Sequence, residues 1–351
     1  MLLLQVDAVA QWQTENPVNN STASHDSGAY DPGWNLFWYG SSVADNLVAV
    51  YNANNAWVSS VIANNWSNNE NAIAVDYNYH WTFYVGTNQA IWVAYYANGN
   101  WSSAMVGKST SNSPNQLCVD SIYHICYYVD GNGSLWAVYL SGSTWNEKLV
   151  DSSIPRNTNR KRCGVDNIWH IAWYLSVDQT QLVYAQPTAS GWNIGALNGT
   201  YTNSPSLSSP YMWQTISVDS NSHLVYGLKT NSSFQPLSVQ AIYVSGSNWV
   251  TTPLLKDGNL PSAQQPSNNL LNSPQTNSYY LGSYDGNNNN ETICGGYLPV
   301  AQWWGSRRQD DPGFGASFGT GTTGLFPLAI GNNAFLACRY GTGGVSVVTN
   351  P

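Results

Sequence analysis

Apolar and polar positions alternate over short runs in this chain, and no stretch keeps a helical period. The clearest stretch predicts four strands, at Gln116–Asp120, His124–Val129, Leu135–Leu140 and Trp145–Val150. The turn between the second and third of these strands is Asp130-Gly-Asn-Gly, a sequence that favours a β-hairpin. The pattern therefore predicts a four-stranded antiparallel sheet.

Two markers repeat along the chain at intervals of about 45 to 55 residues. The first is Val-Asp with a His four residues after the Asp, seen as Asp76 with His80, Asp120 with His124, Asp166 with His170, and Asp219 with His223. The second is a Trp, in most repeats directly after a Gly- or Asn-containing turn: Trp12, Trp57, Trp101, Trp145, Trp192, Trp249 and Trp304. A repeat of this length with four short strands is typical of a propeller blade.

The two chain ends together supply one further unit. Residues 328–348 have the pattern of the first half of a repeat, and residues 2–12 have that of the second half. Pairing between them would remove an exposed sheet edge. The sequence therefore predicts a single all-β domain over residues 1–351, a seven-bladed β-propeller whose last blade is closed by the N- and C-terminal strands. The expected blades are approximately 18–70, 71–115, 116–161, 162–213, 214–272, 273–325, and 326–351 with 1–17.

Composition narrows the classes of partner. Only 9% of the residues are charged, 11 are Lys or Arg, and the formal net charge is −8. A nucleic-acid surface needs clustered Lys and Arg, so nucleic acid is not an expected partner. No stretch approaches the roughly 20 apolar residues that span a bilayer. The opening MLLLQVDAVAQW lacks the basic flank and cleavage site of a signal peptide, so we expect any signal to precede it.

Sequons and cysteines indicate the compartment. Asn-x-Ser/Thr occurs at Asn19, Asn20, Asn65, Asn100, Asn132, Asn198, Asn231 and Asn290. Together with the low charge, these sequons predict a secreted glycoprotein. The five cysteines show no metal-binding spacing. We expect buried cysteines with one or two disulfides, and neither a metal nor a cofactor.

The Asp and His of each repeat could serve as a general base or as metal ligands. Because they recur in every clear repeat, we expect a structural role instead: the Asp accepts turn N–H groups, and the His bridges to it or to a neighbouring blade. The repeated Trp residues could stack on sugars, but one Trp per repeat also suits the packing of adjacent blades.

Residues outside the repeat pattern are the better candidates for ligand contact. Among the aromatic residues these are Trp66, Trp81, Trp213 and Trp303. The single unrepeated charged cluster lies in a Gly-rich insertion and comprises Arg307, Asp310 and Asp311. No nucleophile, zinc or phosphate-loop motif is present, so we do not expect an enzyme.

The strand pattern His-Ile-Cys-Tyr-Tyr, Gly-Ser-Leu-Trp-Ala-Val-Tyr, Gly-Ser-Thr-Trp resembles the repeat of the fungal fucose-binding lectins of the propeller type. The resemblance implies a propeller fold and a secreted, binding role. That family has six blades, and its sugar sites use an Arg on the second strand and a Glu on the third. The matching positions here are Ile125 and Ala137, so the resemblance does not extend to fucose specificity.

Three hypotheses for function follow. The leading one is a secreted, lectin-like carbohydrate-binding propeller with shallow sites between blades, whose partners are glycans. The alternative is a structural extracellular protein, a coat or fibre subunit, whose partners are other copies of itself. A weaker alternative is a glycan-processing enzyme that acts through Asp310 or Asp311.

Overall fold

The computed structural model describes the chain as strands joined by turns and bends. The residues described are 13–19, 23–41, 44–67, 73–107, 115–153, 163–177, 181–198, 212–230, 236–245, 248–255, 265–273, 278–284, 290–298, 302–308, 325–330, 334–339 and 344–349. Within these ranges there is no helix, and hence none with the length and apolar character needed to cross a membrane.

The strands are numbered here in chain order. Those of the first half of the chain are β1 Gln13–Asn19, β2 Ala23–Asp31, β3 Leu36–Ser41, β4 Asn46–Ala53, β5 Ala56–Ala63, β6 Ile73–Asp76, β7 Trp81–Val85, β8 Ile91–Ala97, β9 Asn100–Met105, β10 Asn115–Asp120, β11 Ile125–Val129, β12 Leu135–Ser141, β13 Thr144–Asp151 and β14 Cys163–Asp166. Those of the second half are β15 Ile171–Leu175, β16 Gln181–Thr188, β17 Gly191–Asn198, β18 Met212–Asp219, β19 Leu224–Thr230, β20 Pro236–Ser245, β21 Asn248–Leu255, β22 Gln265–Ser273, β23 Ser278–Tyr284, β24 Asn290–Leu298, β25 Gln302–Arg308, β26 Leu325–Ile330, β27 Ala334–Arg339 and β28 Gly344–Thr349.

Consecutive strands form four-stranded antiparallel sheets, which confirms the predicted all-β class and the predicted blade-like unit. The sheets are β2 to β5, β6 to β9, β10 to β13, β14 to β17, β18 to β21 and β22 to β25, and β26 to β28 take β1 as their fourth strand. In that last sheet Gln13 pairs with Thr349. The sheet that contains β22 begins at Gln265, before residue 273, where the sequence placed the start of the sixth unit.

Burial changes across each sheet and explains the sequence of each strand. The second strands β3, β11 and β15 are buried at every position, so they are continuous apolar runs without alternation. The fourth strands β5, β9 and β13 contain exposed and half-buried positions, and polar residues are interspersed among their apolar ones. Neighbouring first strands lie side by side, in the order β2, β6, β10, β14 and β18.

The core lies between sheets. One apolar cluster joins Tyr127 and Ala137 of one sheet to Val165 and Tyr174 of the next. Burying side chains of this size stabilises the fold by roughly 1.5–3 kcal/mol each. The fold therefore depends on contacts between successive repeats.

The repeated Trp residues also pack between sheets. Three of the Trp residues on fourth strands contact a ring on the second strand of the preceding sheet: Trp101 lies 5.1 Å from Trp38, Trp145 lies 5.9 Å from Phe83, and Trp249 lies 4.8 Å from Trp173, between ring centroids. These edge-on contacts are favourable geometries for aromatic pairs.

Candidate functional site

Each first strand from β2 to β18 (β2, β6, β10, β14 and β18) ends in a buried Asp that organises the turn after it. Asp76 Oδ1 accepts hydrogen bonds from the backbone N–H groups of Asn78, at 3.0 Å, and Tyr79, at 3.2 Å. Asp120 Oδ1 accepts the equivalent pair from Ile122 and Tyr123, both at 2.9 Å. Asp fits this position because its side chain can replace a backbone acceptor in a tight turn.

The second carboxylate oxygen of the Asp reaches into the following repeat. There it meets the imidazole Nδ1 of a His at 2.7–2.8 Å in four pairs: Asp31 with His80, Asp76 with His124, Asp120 with His170, and Asp166 with His223. The four His residues have φ between 53° and 59°, a left-handed conformation that His tolerates better than most residues. Each Asp therefore links its own turn to the neighbouring sheet.

Close packing around these pairs restricts the residues nearby. A Cβ added at Gly33 would lie 2.4 Å from His80 Cε1, so only Gly leaves room for the imidazole beside Asp31.

Burial raises the pKa of Asp31 and of Asp76, and the hydrogen bonds from their His partners oppose that rise. A neutral imidazole that donates from Nδ1 keeps its Nε2 lone pair free to accept a hydrogen bond.

An aromatic side chain covers each imidazole. This aromatic residue lies in the turn whose Asp binds the imidazole, one position before the His or Asn of the same turn. The centroids of the aromatic ring and the imidazole lie 3.6–4.3 Å apart, and the two ring planes are within 17° of parallel. The four aromatic–histidine stacks are Trp34 on His80, Tyr79 on His124, Tyr123 on His170 and Trp169 on His223.

These stacks are open to solvent. Trp34 is 42% exposed, and Tyr79 and Tyr123 are each 51% exposed. The four His side chains are 20–27% exposed. Among the described residues, Nε2 of these His residues has no hydrogen-bond partner. Each stack thus presents one apolar ring and one polar nitrogen.

Backbone hydrogen bonds fix the stacks relative to one another. The N–H of Tyr77 donates to Ser121 Oγ at 3.2 Å, the N–H of Ser121 donates to Asn167 Oδ1 at 2.6 Å, and the N–H of Asn167 donates to Ser220 Oγ at 2.9 Å. These residues directly follow the Asp residues of successive turns. The turns therefore form one hydrogen-bonded row.

The row of stacks ends at Asp219. Its Oδ2 is buried and has no hydrogen-bond partner within the described part of the chain. Ser222 stands where the other turns have an aromatic residue, and Asn277, which lies outside the described residues, stands in the sequence where the next His would be. Burial raises the pKa of Asp219, and the nearby Asp166 carboxylate raises it further.

Two of the sequence-predicted aromatic candidates can be placed. Trp66 was expected to contact ligands, but it is fully buried, and a Cβ at Gly40 would lie 2.2 Å from its ring. The sequence expectation for Trp66 is therefore wrong, because its ring fills the space over a glycine. Trp81 is half-buried and lies 4.7 Å from Tyr79 and 5.4 Å from Trp145, at the margin of one stack.

Several other predicted residues are less fully described. Trp213 of β18 and Trp303 and Arg307 of β25 are strand residues of which only the backbone is described, and Asp310 and Asp311 lie outside the described residues. Asn20 and Asn231 also lie outside, and Asn19, Asn198 and Asn290 are strand residues of which only the backbone is described.

The remaining sequons differ in their surroundings. Asn100 and Asn132 are exposed at turns. Asn65 Oδ1 instead accepts a hydrogen bond from the Tyr84 hydroxyl at 2.9 Å, and the Ser67 of the same sequon is buried. The Asn65 amide oxygen is therefore engaged in packing beside a buried Ser67, whereas Asn100 Nδ2 donates to the exposed Asn98 carbonyl oxygen at 3.2 Å.

Three cysteines have described side chains, and none of the three is in a disulfide: Cys118, Cys126 and Cys163. Cys118 Sγ lies 3.0 Å from the Tyr174 hydroxyl oxygen, and Cys163 Sγ donates to the Gln116 carbonyl oxygen at 3.0 Å. The disulfide expected from the sequence is therefore not formed by these three. Within the described residues no group of three or more His, Cys, Asp or Glu side chains could hold a metal ion.

Sequence reasoning missed the aromatic member of each stack. Trp34, Tyr79, Tyr123 and Trp169 were not among the predicted ligand-contact residues, although the position directly before the His or Asn is aromatic in four consecutive repeats. That recurrence was the signal that could have found them.

Comparisons with known proteins show the fold alone. No family model matches the chain, and no curated protein matches it in sequence. The Cps50 (Swd1) beta-propeller domain of Myceliophteria thermophila superimposes with a TM-score of 0.61 at 10% identity, over 96% of this chain and 99% of that one. YCF48 from Cyanidioschyzon merolae gives 0.60 at 10% identity, over 97% and 99%. A structure of YCF48 bound to D1 peptide gives 0.58 at 11% identity, over 99% and 97%.

These likenesses, together with the four-stranded sheets and their neighbouring first strands, define the class. The chain has a β-propeller fold built from sequence repeats.

Proposed function

We propose that this chain is a secreted, lectin-like glycoprotein that binds carbohydrate at the aromatic–histidine stacks. The observation that carries the proposal is the exposure of Trp34, Tyr79 and Tyr123 on imidazoles whose Nε2 has no hydrogen-bond partner among the described residues. A structural role alone would be served by rings that are fully covered. These three exposed sites, with the half-buried Trp169 as a fourth, would raise avidity for a branched or repetitive glycan without strong individual sites.

The chemistry of the stacks suits a neutral sugar. An exposed aromatic ring can pack against the apolar C–H face of a pyranose, and the adjacent Nε2 can accept a hydrogen bond from a hydroxyl group. Ligand sites commonly combine apolar surface with a few polar groups of fixed orientation, and the buried Asp holds each imidazole in place. Each stack consists of an aromatic residue and a His held by an Asp. None of these side chains is a Lys or Arg that could bind an anionic sugar.

We further propose that the propeller has seven blades and is closed by its two chain ends. Support comes from contacts between the first strands β18 and β22, β22 and β26, and β26 and β2, which return to the beginning of the chain. The pairing of β1 with β28 supports the same closure. A closed ring would leave no first strand without a neighbour on either side.

Glycan-array binding tests the carbohydrate proposal. We expect neutral glycans to bind the full chain, and the double variant Tyr79→Ala, Tyr123→Ala to bind several-fold more weakly, because each exposed ring contributes about 0.5–1.5 kcal/mol. Val61→Ala, at a residue 59% exposed on the outer strand β5, is the matched control and should leave binding unchanged. Absence of binding by the wild-type chain, or equal binding by the double variant, would refute the proposal.

Self-association as a coat or fibre subunit is the second candidate. It is favoured by Ile122 and Ile168, which are 43% and 48% exposed on the same turns as the stacks. Size-exclusion chromatography with light scattering, with and without a panel of free sugars, separates the two. Large species that no sugar disturbs would favour the subunit, whereas a small species whose elution or melting temperature shifts with a sugar would favour the lectin. The glycan-processing alternative rests on Asp310 and Asp311, outside the described residues, and gains no support.

A further inference from the structure

Among the described strands, the fourth strand of each sheet is an edge strand, since it is paired on one side only. An edge strand presents unpaired N–H and C=O groups that can pair with another strand, and proteins commonly block such edges with charges, prolines or bulges. The fourth strands of this chain can therefore be compared for these three protective features.

Most of the fourth strands carry at least one protective feature. The pairing registers of β5, β13, β21 and β25 are each interrupted by a bulge. In addition, β13 contains Glu147 and Lys148, β21 contains Pro253, and β25 ends in two Arg residues. The strand β9 has none of the three but is only 6 residues long.

The strand β17 is the exception among the described outer strands. It has 8 residues, Gly-Trp-Asn-Ile-Gly-Ala-Leu-Asn, with no charge and no proline. Its register with β16 runs without interruption from Gln181 opposite Asn198 to Thr188 opposite Gly191. Its inner contacts are firm, because Trp192 and Ile194 pack against one core cluster and Leu197 packs against another. The edge is therefore straight, uncharged and held in place.

The register also shows which backbone groups point away from the sheet. Trp192 is opposite Pro187, which has no N–H, so this pair is of the type that exchanges no hydrogen bonds. Such pairs alternate along antiparallel strands, so Ile194 and Ala196 belong to the same type. Their N–H and C=O groups point outward from the edge of the sheet, and the Ala196 side chain is exposed.

We propose that β17 pairs antiparallel with β17 of a second copy of this chain, which joins two sheets across a two-fold axis. An antiparallel pair of identical edges is self-complementary, since each outward N–H meets an outward C=O of the same strand in the partner. A two-fold contact of this kind uses up both edges and stops at two copies. The expected assembly is a closed dimer and not a fibre.

Sedimentation equilibrium of the full chain, produced without N-glycans because a sequon lies at Asn198, tests the dimer. We expect a concentration-dependent dimer for the wild-type chain. Ala196→Pro removes one outward N–H from each copy and no bond within the sheet, so the dissociation constant should rise by at least about tenfold. Ala196→Ser keeps the N–H and is the matched control, which should remain dimeric.

The result that would overturn the proposal is a wild-type chain that is monomeric at all concentrations, or a dimer whose dissociation constant is the same in Ala196→Pro. Should Ala196→Pro fail to fold, Ala196→Lys places a charge on the same edge and decides the question by the same measurement. A monomeric Ala196 variant should still bind glycan at each single site. Loss of the dimer would therefore leave glycan binding intact, whereas failure of the carbohydrate proposal would show as absent glycan binding in monomer and dimer alike.

Discussion

The bridge between Asp76 and His124 is the contact between repeats whose removal can be tested most cleanly. The variant His124→Gly deletes the imidazole without backbone strain, because φ at this position is 57° and Gly adopts that conformation freely. The same turn position in the first described repeat is Asn35, with φ of 51°. Asn35→Gly is therefore a control with the same backbone change, which loses one exposed hydrogen bond from the Tyr30 hydroxyl and no imidazole.

The expected cost can be worked from the contacts. Removing His124 leaves Asp76 Oδ2 buried and without the partner that stood at 2.7 Å, which costs about 1.5–3 kcal/mol for a charged acceptor. Loss of the stack with Tyr79 adds about 0.5–1 kcal/mol, toward the low end because both rings are partly exposed. We expect the free energy of unfolding to fall by about 2–4 kcal/mol more than in Asn35→Gly.

Urea denaturation at two pH values is the assay. Folding raises the pKa of Asp76 above its ordinary value of 3.8, and loss of the imidazole removes interactions that oppose the rise. A carboxyl with a raised pKa in the folded state destabilises the fold most when ionised, so the cost of His124→Gly should be largest at pH 7 and should shrink as the pH falls toward 4. Adding imidazole at pH 7 should restore part of the loss.

Three results would refute this reasoning. His124→Gly and Asn35→Gly could lose equal stability, the loss could be the same at both pH values, or imidazole could stabilise the wild-type chain as much as the variant. Any of these would mean that the Asp–His contact does not hold the sheets together.

The remaining predictions use the same kinds of measurement. Asp219→Asn should raise the free energy of unfolding by about 1 kcal/mol at pH 7, because it removes the charge of a buried carboxylate whose Oδ2 has no hydrogen-bond partner among the described residues, and the gain should shrink as the pH falls toward 4, since burial raises the pKa of Asp219. Gly40→Ala should lower the melting temperature through a clash with the Trp66 ring, at a cost of about 1–3 kcal/mol in thermal unfolding. Mass spectrometry of glycopeptides from secreted protein should find a glycan at Asn100 and none at Asn65, and a fully occupied Asn65 would contradict the packing described for it.

The repeat was accessible from the sequence because two markers recur at similar intervals, and one of them is a polar residue at the end of an otherwise apolar strand. An Asp that ends a first strand, as Asp76 and Asp120 do, is unusual enough in a buried position to stand out each time it recurs. What the sequence could not show is which His each Asp meets. The bond joins Asp76 to His124 of the next repeat and not to His80 four residues away. That choice depends on the distance between sheets, which only the folded chain sets.

Exposure was harder to predict than architecture. Trp66 departs from the repeat, and a residue that breaks a pattern invites a functional interpretation; its burial instead comes from Gly40, a residue distant in sequence. Conversely, Tyr79 and Tyr123 looked ordinary because turns often contain Tyr. Their exposure follows from stacking over an imidazole supplied by the neighbouring sheet, a contact that leaves one ring face uncovered.

The Asp–His bridges give the repeats that they join a direction. Each repeat that has both parts offers a carboxylate to the repeat that follows it and an imidazole to the repeat that precedes it, so these repeats join head to tail. Such heterologous joints do not depend on which two repeats meet, since any repeat with both parts fits between two others. Asn35 and Asn277 stand at the His position of their repeats, so neither repeat carries the imidazole that would complete a bridge to the repeat before it.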